Sequence, residues 1–520
     1  CSDGFTIDTA APVNPASTAI YDLSSTFNND KAWWNSTTSL SASWDLATDA
    51  GSGVATYNIC FSSVSNGCTN IPGTTTQTGN TSRTATATAT GMTAGTTYYS
   101  CIQALDNVAN TSGWTCSNGF TIDTSVPTAP TQANIFDLST TFSGDKAWGS
   151  STTALSASWN TGSDTPSGVA SYDVCFSSIN TGCTNIAGTT TQTGNTSRTA
   201  TATATGMTNG TMYYTCVRAV DNAANTSNWT CSNGFTIDAT APVNPTQANI
   251  FDLSISFAAD QTWSNSTTSL GASWNAGSDT GGSGVASYNI CFSTVSTGCT
   301  NIAGTSTQTG NTTRTATATA TGMTSGTTYY SCVQAVDTAG NTAAWQCSNG
   351  FTIDTAAPSN PTIANVFDLS TTLVDADWST STTSLSASWN AGSDTGPSGI
   401  RDYSVCFSTV NTGCTNIAGT ATQSGNTTRT ATATATGMTT NTTYYTCVQT
   451  YDNAGNPASA WQCSDGFVVD TTAPANPAAS GIYDQSVSFS ADKDWWNSTT
   501  SLSASWDAGT DTSGSGVKNY

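Results

Sequence analysis

Apolar residues alternate with small polar residues in short runs along the whole chain. Leu40, Ala42 and Trp44 occupy every second position of one run, and Tyr57 and Ile59 begin the same pattern in another. A period of two places such residues on one face of a β-strand, whereas a helix would need a spacing of three to four. No run has the helical spacing. The pattern therefore predicts an all-β protein.

One sequence unit recurs from end to end. The Tyr-Tyr-x-Cys segment that ends at Cys101 returns at Cys216, Cys332 and Cys447, in steps of 115, 116 and 115 residues. Solenoid repeats are shorter, at roughly 20–50 residues, so each unit is predicted to be a complete domain. Each unit contains about seven predicted short strands, a number typical of an antiparallel β-sandwich made of two sheets.

Short linkers of the form Asp-x-x-x-Pro separate the units. A short linker with proline is stiff, so the domains are expected to form a linear array. Both ends of the sequence fall within a unit. The predicted organisation is a final strand of a preceding repeat at 1–8, complete repeats at 9–123, 124–238, 239–354 and 355–470, and the first part of a fifth repeat at 471–520.

Composition excludes several functional classes. The chain has 10 basic and 32 acidic residues, a net charge of −22, no His and no Glu. Without clustered cations it has nothing to neutralise phosphates, so no nucleic-acid partner is expected. Without His or Glu there is no familiar pair of nucleophile and base, which predicts that the chain is not an enzyme. No apolar run approaches the roughly 18–20 residues that span a bilayer.

Four motifs follow one another in each unit. They are Ser-Leu-Ser-Ala-Ser-Trp, Asp-x-x-Ser-Gly-Val-x-x-Tyr, Gly-Met-Thr-x-Gly-Thr-Thr-Tyr-Tyr and Ala-x-Asp-Asn-x-x-Asn. This order resembles the fibronectin type III and immunoglobulin-like repeats of large bacterial extracellular surface proteins. The resemblance covers nearly the whole chain and implies stalks, adhesins or cell-surface fibres. The cysteines and residues 20–34 depart from plain fibronectin domains, so no ligand is carried over.

Four cysteines in each complete unit permit three pairings. Cys60 and Cys68 are placed on consecutive hairpin strands, and Cys101 and Cys116 on the last two strands, which favours these local pairs. The alternative joins Cys60 to Cys101, because those strands should also be neighbours. A zinc site would favour close Cys-x-x-Cys pairs, and the nearest spacing here has seven intervening residues.

The predicted bonds require an oxidising compartment, so an extracellular or cell-surface location is expected. Cys1 corresponds to Cys116, and its partner is expected upstream or in a neighbouring molecule. The predicted pairs are Cys60–Cys68, Cys101–Cys116, Cys175–Cys183, Cys216–Cys231, Cys291–Cys299, Cys332–Cys347, Cys406–Cys414 and Cys447–Cys463.

Aspartates recur at the linker, in the loop after the Trp strand and in the loop after the Tyr-Tyr strand. In a sandwich of this type these three segments meet at one pole, and carboxylates are ligands that Ca²⁺ selects. Calcium at the junctions is therefore a candidate cofactor, although the fold requires none. The alternative is that Asp only forms turns. The candidate ligands are Asp8, Asp49, Asp106, Asp123, Asp164, Asp221, Asp238, Asp279, Asp337, Asp354, Asp394 and Asp452, with Asp470 and Asp511 in the fifth repeat.

Two surface features have more than one interpretation. The alternating Thr-Ala run at 84–90 predicts a solvated edge strand over an Ala-lined core; lateral fibre contacts, O-glycosylation and ice binding are the alternatives. Asn-x-Ser/Thr triplets, as at Asn35 and Asn80, allow N-linked glycans. Trp33 and Trp34, and their counterparts Trp495 and Trp496, are expected to pack on a core or a neighbouring domain rather than on sugars.

These features together predict a structural extracellular fibre, filament or cell-surface stalk. Its expected partner is the same polymer, by self-association or by continuation of one chain. Strand donation, in which residues 1–8 complete the half-domain at 471–520 of another subunit, is a further possibility. The main alternative function is the extension region of a calcium-stiffened adhesin whose binding head lies elsewhere.

Overall fold

The computed structural model describes residues 3–257, 259–489, 492–512 and 514–520, so Cys1 lies outside the described residues. The chain divides into two compact units. The first consists of Cys1–Ala241, Asp279–Gly284 and Asp337–Asn341, and the second of Pro242–Ser278, Val285–Val336 and Thr342–Tyr520. The first unit contains the first two repeats and two loops of the third, and the boundaries of the repeats stay predictions.

Strands account for the regular structure of every repeat. The helices among the described residues are 3₁₀ turns of three residues, and none has the length and apolar character to cross a membrane. The strands of the first repeat are β1 (Ile20–Asp22), β2 (Trp33–Trp34), β3 (Ser39–Trp44), β4 (Val54–Ser62), β5 (Gln77–Asn80), β6 (Thr84–Thr88), β7 (Thr97–Asp106), β8 (Thr115–Cys116) and β9 (Phe120–Ile122).

The same nine strands recur three times, followed by two strands of the fifth repeat. The second repeat has β10 (Ile135–Asp137), β11 (Trp148–Gly149), β12 (Ala154–Trp159), β13 (Val169–Ser177), β14 (Gln192–Asn195), β15 (Thr199–Thr203), β16 (Met212–Asp221), β17 (Thr230–Cys231) and β18 (Phe235–Ile237). The third has β19 (Ile250–Asp252), β20 (Trp263–Ser264), β21 (Ser269–Trp274), β22 (Val285–Ser293), β23 (Gln308–Asn311), β24 (Thr315–Thr319), β25 (Thr328–Asp337), β26 (Gln346–Cys347) and β27 (Phe351–Ile353). The fourth has β28 (Val366–Asp368), β29 (Trp378–Ser379), β30 (Ser384–Trp389), β31 (Ile400–Ser408), β32 (Gln423–Asn426), β33 (Thr430–Thr434), β34 (Thr443–Asp452), β35 (Gln462–Cys463) and β36 (Phe467–Val469). The fifth has β37 (Ile482–Asp484) and β38 (Ala504–Trp506), and the 3₁₀ turns are Ser17–Ala19, Gln132–Asn134, Gln247–Asn249, Ile363–Asn365 and Ala479–Gly481.

Two sheets form each complete repeat. In the first repeat, one sheet has the antiparallel order β1-β3-β6, and the other has the order β2-β9-β7-β4-β5, with β8 paired to β7. Within the second sheet, β2 runs parallel to β9 and the other pairs are antiparallel. The other complete repeats have the same order. The all-β sandwich prediction is therefore confirmed.

The period of two explains the core. Leu40 and Trp44 of β3 are buried against Tyr57 and Ile59 of β4, and these side chains belong to one hydrophobic cluster. Trp44 has no exposed surface, and its ring meets that of Tyr57 edge-on, with 5.6 Å between centroids. Equivalent clusters fill the other complete repeats.

The Thr-Ala run forms the edge strand β6 of the three-stranded sheet. Ala85 and Ala89 are buried in the core, whereas Thr86 and Thr88 are exposed. This confirms the interpretation as a solvated edge strand over an Ala-lined core, although the strand ends at Thr88 rather than at residue 90.

Residues 20–34 connect the two sheets. β1 pairs with β3, and after a loop β2 pairs with β9 in the opposite sheet. Trp34 packs against the core, and its Nε1 donates a hydrogen bond to the Ser39 carbonyl oxygen at 3.0 Å. Core packing of this Trp is therefore confirmed, whereas Trp495 in the fifth repeat is 91% exposed. The short strand β2 thereby covers the end of β9, which leads directly into the linker.

Candidate metal centres at the domain junctions

Asp123, the linker residue after β9, makes hydrogen bonds to two domains. Its backbone N–H donates to the Trp34 carbonyl oxygen at 2.8 Å, which extends the pairing of β2 with β9. Its carboxylate accepts hydrogen bonds from the backbone N–H groups of Ser125 at 2.9 Å and Ser167 at 3.1 Å. The first repeat therefore binds the backbone N–H of Asp123, while the second repeat binds its carboxylate.

Two loops of the second repeat complete this site. Asp164 follows β12 and accepts a hydrogen bond from the Gly168 N–H at 2.8 Å. Asp221 ends β16 and accepts from the Asn225 N–H, also at 2.8 Å. The Asn225 side chain donates to the Asp123 carbonyl oxygen at 2.9 Å and to the Asp221 carboxylate at 2.8 Å. The linker and both loops are thus tied together around three carboxylates.

The same arrangement occurs at four junctions. In each, one carboxylate oxygen from each of three aspartates lies within 4.8 Å of the others. Asp470 and Asp511 accept the corresponding backbone hydrogen bonds in the fifth repeat. The structure therefore brings together the twelve candidate ligands in the predicted groups: Asp8, Asp49 and Asp106; Asp123, Asp164 and Asp221; Asp238, Asp279 and Asp337; Asp354, Asp394 and Asp452.

Hydrogen bonds favour the ionised form of several of these carboxylates. The Ser52 and Ala10 N–H groups hold the pKa of Asp8 below its ordinary value. Burial opposes ionisation of Asp123 and Asp238, but hydrogen bonds from Ser167 and Ser283 outweigh it, so both pKa values are lowered. Carboxylates within 4.8 Å of one another repel when all of them are ionised. Such a cluster favours a bound cation.

Small neighbours line the carboxylates. A Cβ at Gly51 would overlap the Asp8 carboxylate, and one at Gly396 would overlap that of Asp354. Ser398 in the same loop is 7% exposed, and its hydroxyl has no hydrogen-bond partner among the described residues, whereas its counterpart Ser167 donates to Asp164 at 3.2 Å. Turn formation accounts for the backbone hydrogen bonds but does not require three carboxylates to converge. Hard oxygen donors of this kind match Ca²⁺.

Two curated proteins of Cellulomonas fimi are similar to part of the chain. Exoglucanase B is 30% identical over 347 residues, which cover 65% of this chain and 25% of that protein. Endoglucanase B is 27% identical over 316 residues, which cover 59% of this chain and 25% of that protein. The chain thus spans about a quarter of the length of each relative. No protein-family profile matches the chain.

Two solved arrays of fibronectin modules match parts of the chain. The chicken CNTN1 FN1–FN3 domains have 15% identity and a TM-score of 0.25, and the match covers 61% of this chain and 98% of that one. The Clostridium thermocellum CbhA fibronectin(III)-like modules have 14% identity and a TM-score of 0.25, and the match covers 42% of this chain and 94% of that one.

Strand order distinguishes these repeats from immunoglobulin constant-type domains. In an immunoglobulin constant-type domain the fourth strand belongs to the same sheet as the first two strands. Here the corresponding strand is β5, and it pairs with β4 in the opposite sheet. Tyr98 near the start of β7 accepts a hydrogen bond from the Thr93 N–H at 3.0 Å, the contact of a tyrosine corner. The repeats have a fibronectin type III-like fold. Among the described residues, the four complete repeats form such sandwiches, and the fifth repeat has a two-stranded sheet.

Each complete fibronectin type III-like domain has two disulfide bonds on the outer face of its larger sheet. Cys101 lies directly opposite Cys60 on one side and Cys116 on the other, so strand position alone allows two partners. The structure bonds Cys101 to Cys116 and Cys60 to Cys68, and the other three domains have the same local pairs. Cys68 lies in the loop after β4 rather than on a strand, contrary to the sequence prediction.

A buried aspartate in each domain was not singled out from the sequence. Asp22 at the end of β1 has no exposed surface and accepts a hydrogen bond from the Ser100 N–H at 3.1 Å. Burial raises its pKa to about 7, although hydrogen bonds from Ser100 and Ser117 partly offset the effect. Burial raises the pKa of its counterparts Asp137, Asp252 and Asp368 to about 6. A sequence signal existed, since Asp22 shares a strand face with the core residue Ile20.

Asp22→Asn is expected to stabilise the first domain above pH 7. The folded pKa of Asp22 exceeds the ordinary unfolded value of about 3.9, so its contribution to stability is complete below pH 4 and lost as the pH rises through about 7. The wild-type domain should lose on the order of 3 kcal/mol between pH 5 and pH 8, and the Asn variant should lose much less.

Hydrogen exchange of residues 97–106, corrected for intrinsic rates, measures this effect domain by domain. The junction carboxylates with lowered pKa values change the stability only below about pH 4, which lies outside the range from pH 5 to pH 8. The three unaltered domains should keep their pH dependence in the same sample. An identical slope for the variant and wild-type first domain would exclude Asp22 as its source.

Proposed function

We propose that this chain is a structural segment of an extracellular protein in which calcium at the junctions fixes each domain to the next. The observation that carries the proposal is the linker aspartate. Its backbone N–H pairs with one domain, and its carboxylate and carbonyl oxygens accept hydrogen bonds from two loops of the following domain. This bridge recurs at Asp123, Asp238 and Asp354, whose backbone N–H groups donate to the carbonyl oxygens of Trp34, Gly149 and Ser264.

The burial of these bridges supports a mechanical role. Asp123, Asp238 and Asp354 are each no more than 1% exposed, so each linker begins at a residue that is held in place, although most of the residues between it and the proline are exposed. A cation held by carboxylates from the linker and both loops would have to be released before the joint could bend. The disulfide bonds support an extracellular location because such bonds persist in oxidising compartments.

Calcium is expected to stabilise and stiffen the chain. At a free concentration 100 times the dissociation constant, each occupied site contributes about 2.7 kcal/mol. The thermal unfolding temperature should therefore rise in CaCl₂ relative to EGTA, and small-angle scattering should show a narrower range of chain dimensions. The double variant Asp164→Asn with Asp221→Asn should lose part of both responses.

Asp173→Asn provides the matched control. It removes a negative charge from the same domain, where Asp173 pairs with Arg218 at 2.8 Å, and leaves the cluster unchanged. Its responses to calcium should equal those of the wild-type chain. Equal melting and equal scattering of the wild-type chain in CaCl₂ and EGTA would exclude the calcium joint.

The similarity to Exoglucanase B and Endoglucanase B favours a second candidate, in which these domains are spacers in a secreted glucan-degrading enzyme. The two candidates differ in what accompanies the domains. The mass of the reduced and denatured protein should be measured, and glucan hydrolysis should be assayed with the native protein. A polypeptide with glucanase activity supports the spacer role, whereas an inactive polypeptide that electron microscopy shows as ordered filaments supports the fibre.

Imaging also separates the fibre from the adhesin. Filaments with a regular axial repeat are expected of a fibre, whereas isolated rods with a distinct tip are expected of an adhesin extension. A reduced chain near 53.0 kDa in such filaments would favour separate strand-donating subunits over one continuous polyprotein.

A further inference from the structure

A second acidic cluster lies within the fourth domain, away from the junction triads. Asp368 ends β28, Asp375 lies in the following loop, and Asp465 precedes β36. One carboxylate oxygen of each lies within 4.8 Å of the others. The Asp375 carboxylate accepts a hydrogen bond from the Asp368 N–H at 2.7 Å, which fixes the loop against the strand end.

The buried member of this cluster has an unused oxygen. Asp368 is 1% exposed, and its Oδ1 accepts a hydrogen bond from the Thr446 N–H at 3.1 Å. Its Oδ2 is buried and has no hydrogen-bond partner among the described residues. An unpaired carboxylate oxygen inside a sandwich costs free energy unless a proton or a cation satisfies it.

The other domains show what has changed in the fourth. Where the fourth domain has Asp465, the first three have Asn118, Asn233 and Asn349. Where the first domain has Lys31 followed by Ala32, the fourth has Ala376 followed by Asp377. The fourth domain therefore lacks the cation of the first domain, and it has two carboxylates that none of the first three domains has around an aspartate pair that every domain shares.

We infer that Asp368, Asp375 and Asp465 form a divalent-cation site, of the kind that binds Ca²⁺, which the first three domains lack. Carboxylate oxygens are the hard donors that Ca²⁺ prefers, and the cation would satisfy Asp368 Oδ2 while neutralising the charge around the loop. Bound there, it would tie the segment between β28 and β29 to the start of β36. The inference is independent of the proposed function because it uses none of the junction ligands.

The test measures calcium binding to the full chain with three variants. Asp465→Asn restores the residue that the first three domains have at this position, so it is expected to fold. Equilibrium dialysis against ⁴⁵CaCl₂ should show one calcium fewer per chain, or at least a tenfold weaker affinity for one site. Asp375→Asn should do the same, and Asp402→Asn, in the same domain, should leave binding unchanged.

Hydrogen exchange locates the effect. Calcium should slow exchange in residues 366–378 of the wild-type chain, and this slowing should be absent in Asp465→Asn and in the counterpart residues 250–263. The double variant Asp394→Asn with Asp452→Asn removes junction ligands of the same domain and should leave the slowing at 366–378 intact. Unchanged stoichiometry and affinity in Asp465→Asn, or no calcium response at 366–378 in the wild-type chain, overturns the inference.

Discussion

Removal of both disulfide bonds from the second domain is expected to lower its free energy of unfolding by about 5 kcal/mol. The change replaces Cys175, Cys183, Cys216 and Cys231 with Ala. The closed loops have sequence separations of 8 and 15 residues, and each bond restricts the unfolded chain by an amount that grows slowly with loop length. The loss is comparable to the whole stability of a typical domain, at about 5–15 kcal/mol.

Native-state hydrogen exchange of residues 212–221 should then approach the unprotected rate, while the equivalent strands of the other three domains stay protected. Single-pair variants are the matched controls, and loss of Cys216–Cys231 should cost slightly more than loss of Cys175–Cys183 because its loop is longer. Alkylation of the denatured wild-type chain tests the premise. Free thiols at the paired positions, or unchanged protection in the four-Ala variant, would contradict the prediction.

Trp159→Ala is expected to destabilise the second domain by about 3–5 kcal/mol. The Trp159 side chain has no exposed surface and packs edge-on against Tyr172, with 5.9 Å between ring centroids. Its truncation removes apolar contacts and leaves a cavity between the two sheets. For a domain of this size, one calorimetric transition should fall by roughly 10–20 °C.

Trp159→Phe separates packing from hydrogen bonding. The indole Nε1 of Trp159 has no hydrogen-bond partner among the described residues, so the Phe variant loses volume but no polar contact. It is expected to show roughly half the cost of the Ala variant. The unaltered domains with Trp44, Trp274 and Trp389 should melt as in the wild-type chain, and a shift of all transitions together would contradict a local packing effect.

The alternation of buried and exposed residues within a strand could be predicted from the sequence, because the face on which a side chain lies depends only on its position along that strand. Leu40, Ala42 and Trp44 are core residues for this reason, and the Thr-Ala run is an edge strand with its Ala face inward. The convergence of Asp123 with Asp164 and Asp221 was also predictable, since loops at one pole of a sandwich must approach the incoming linker.

Positions that depend on two sheets at once were harder to predict. The core burial of Asp22 was missed because turn formation is the ordinary role of aspartate, although its spacing from Ile20 indicated the core face. The parallel pairing of β2 with β9 was missed because it joins residues that are nearly ninety positions apart. The cluster of Asp368, Asp375 and Asp465 was missed for the same reason.

The sequence by itself determined the period of the repeat, the faces of the strands and the absence of His and Glu, all of which are local or compositional. Only the tertiary structure decided which sheet β5 joins, how Cys101 is bonded when two cysteines lie opposite it, and that Asp368, Asp375 and Asp465 share a site. The physical reason is that pairing between distant strands is set by the packing of the two sheets. Residues far apart in sequence become neighbours only when that packing is complete.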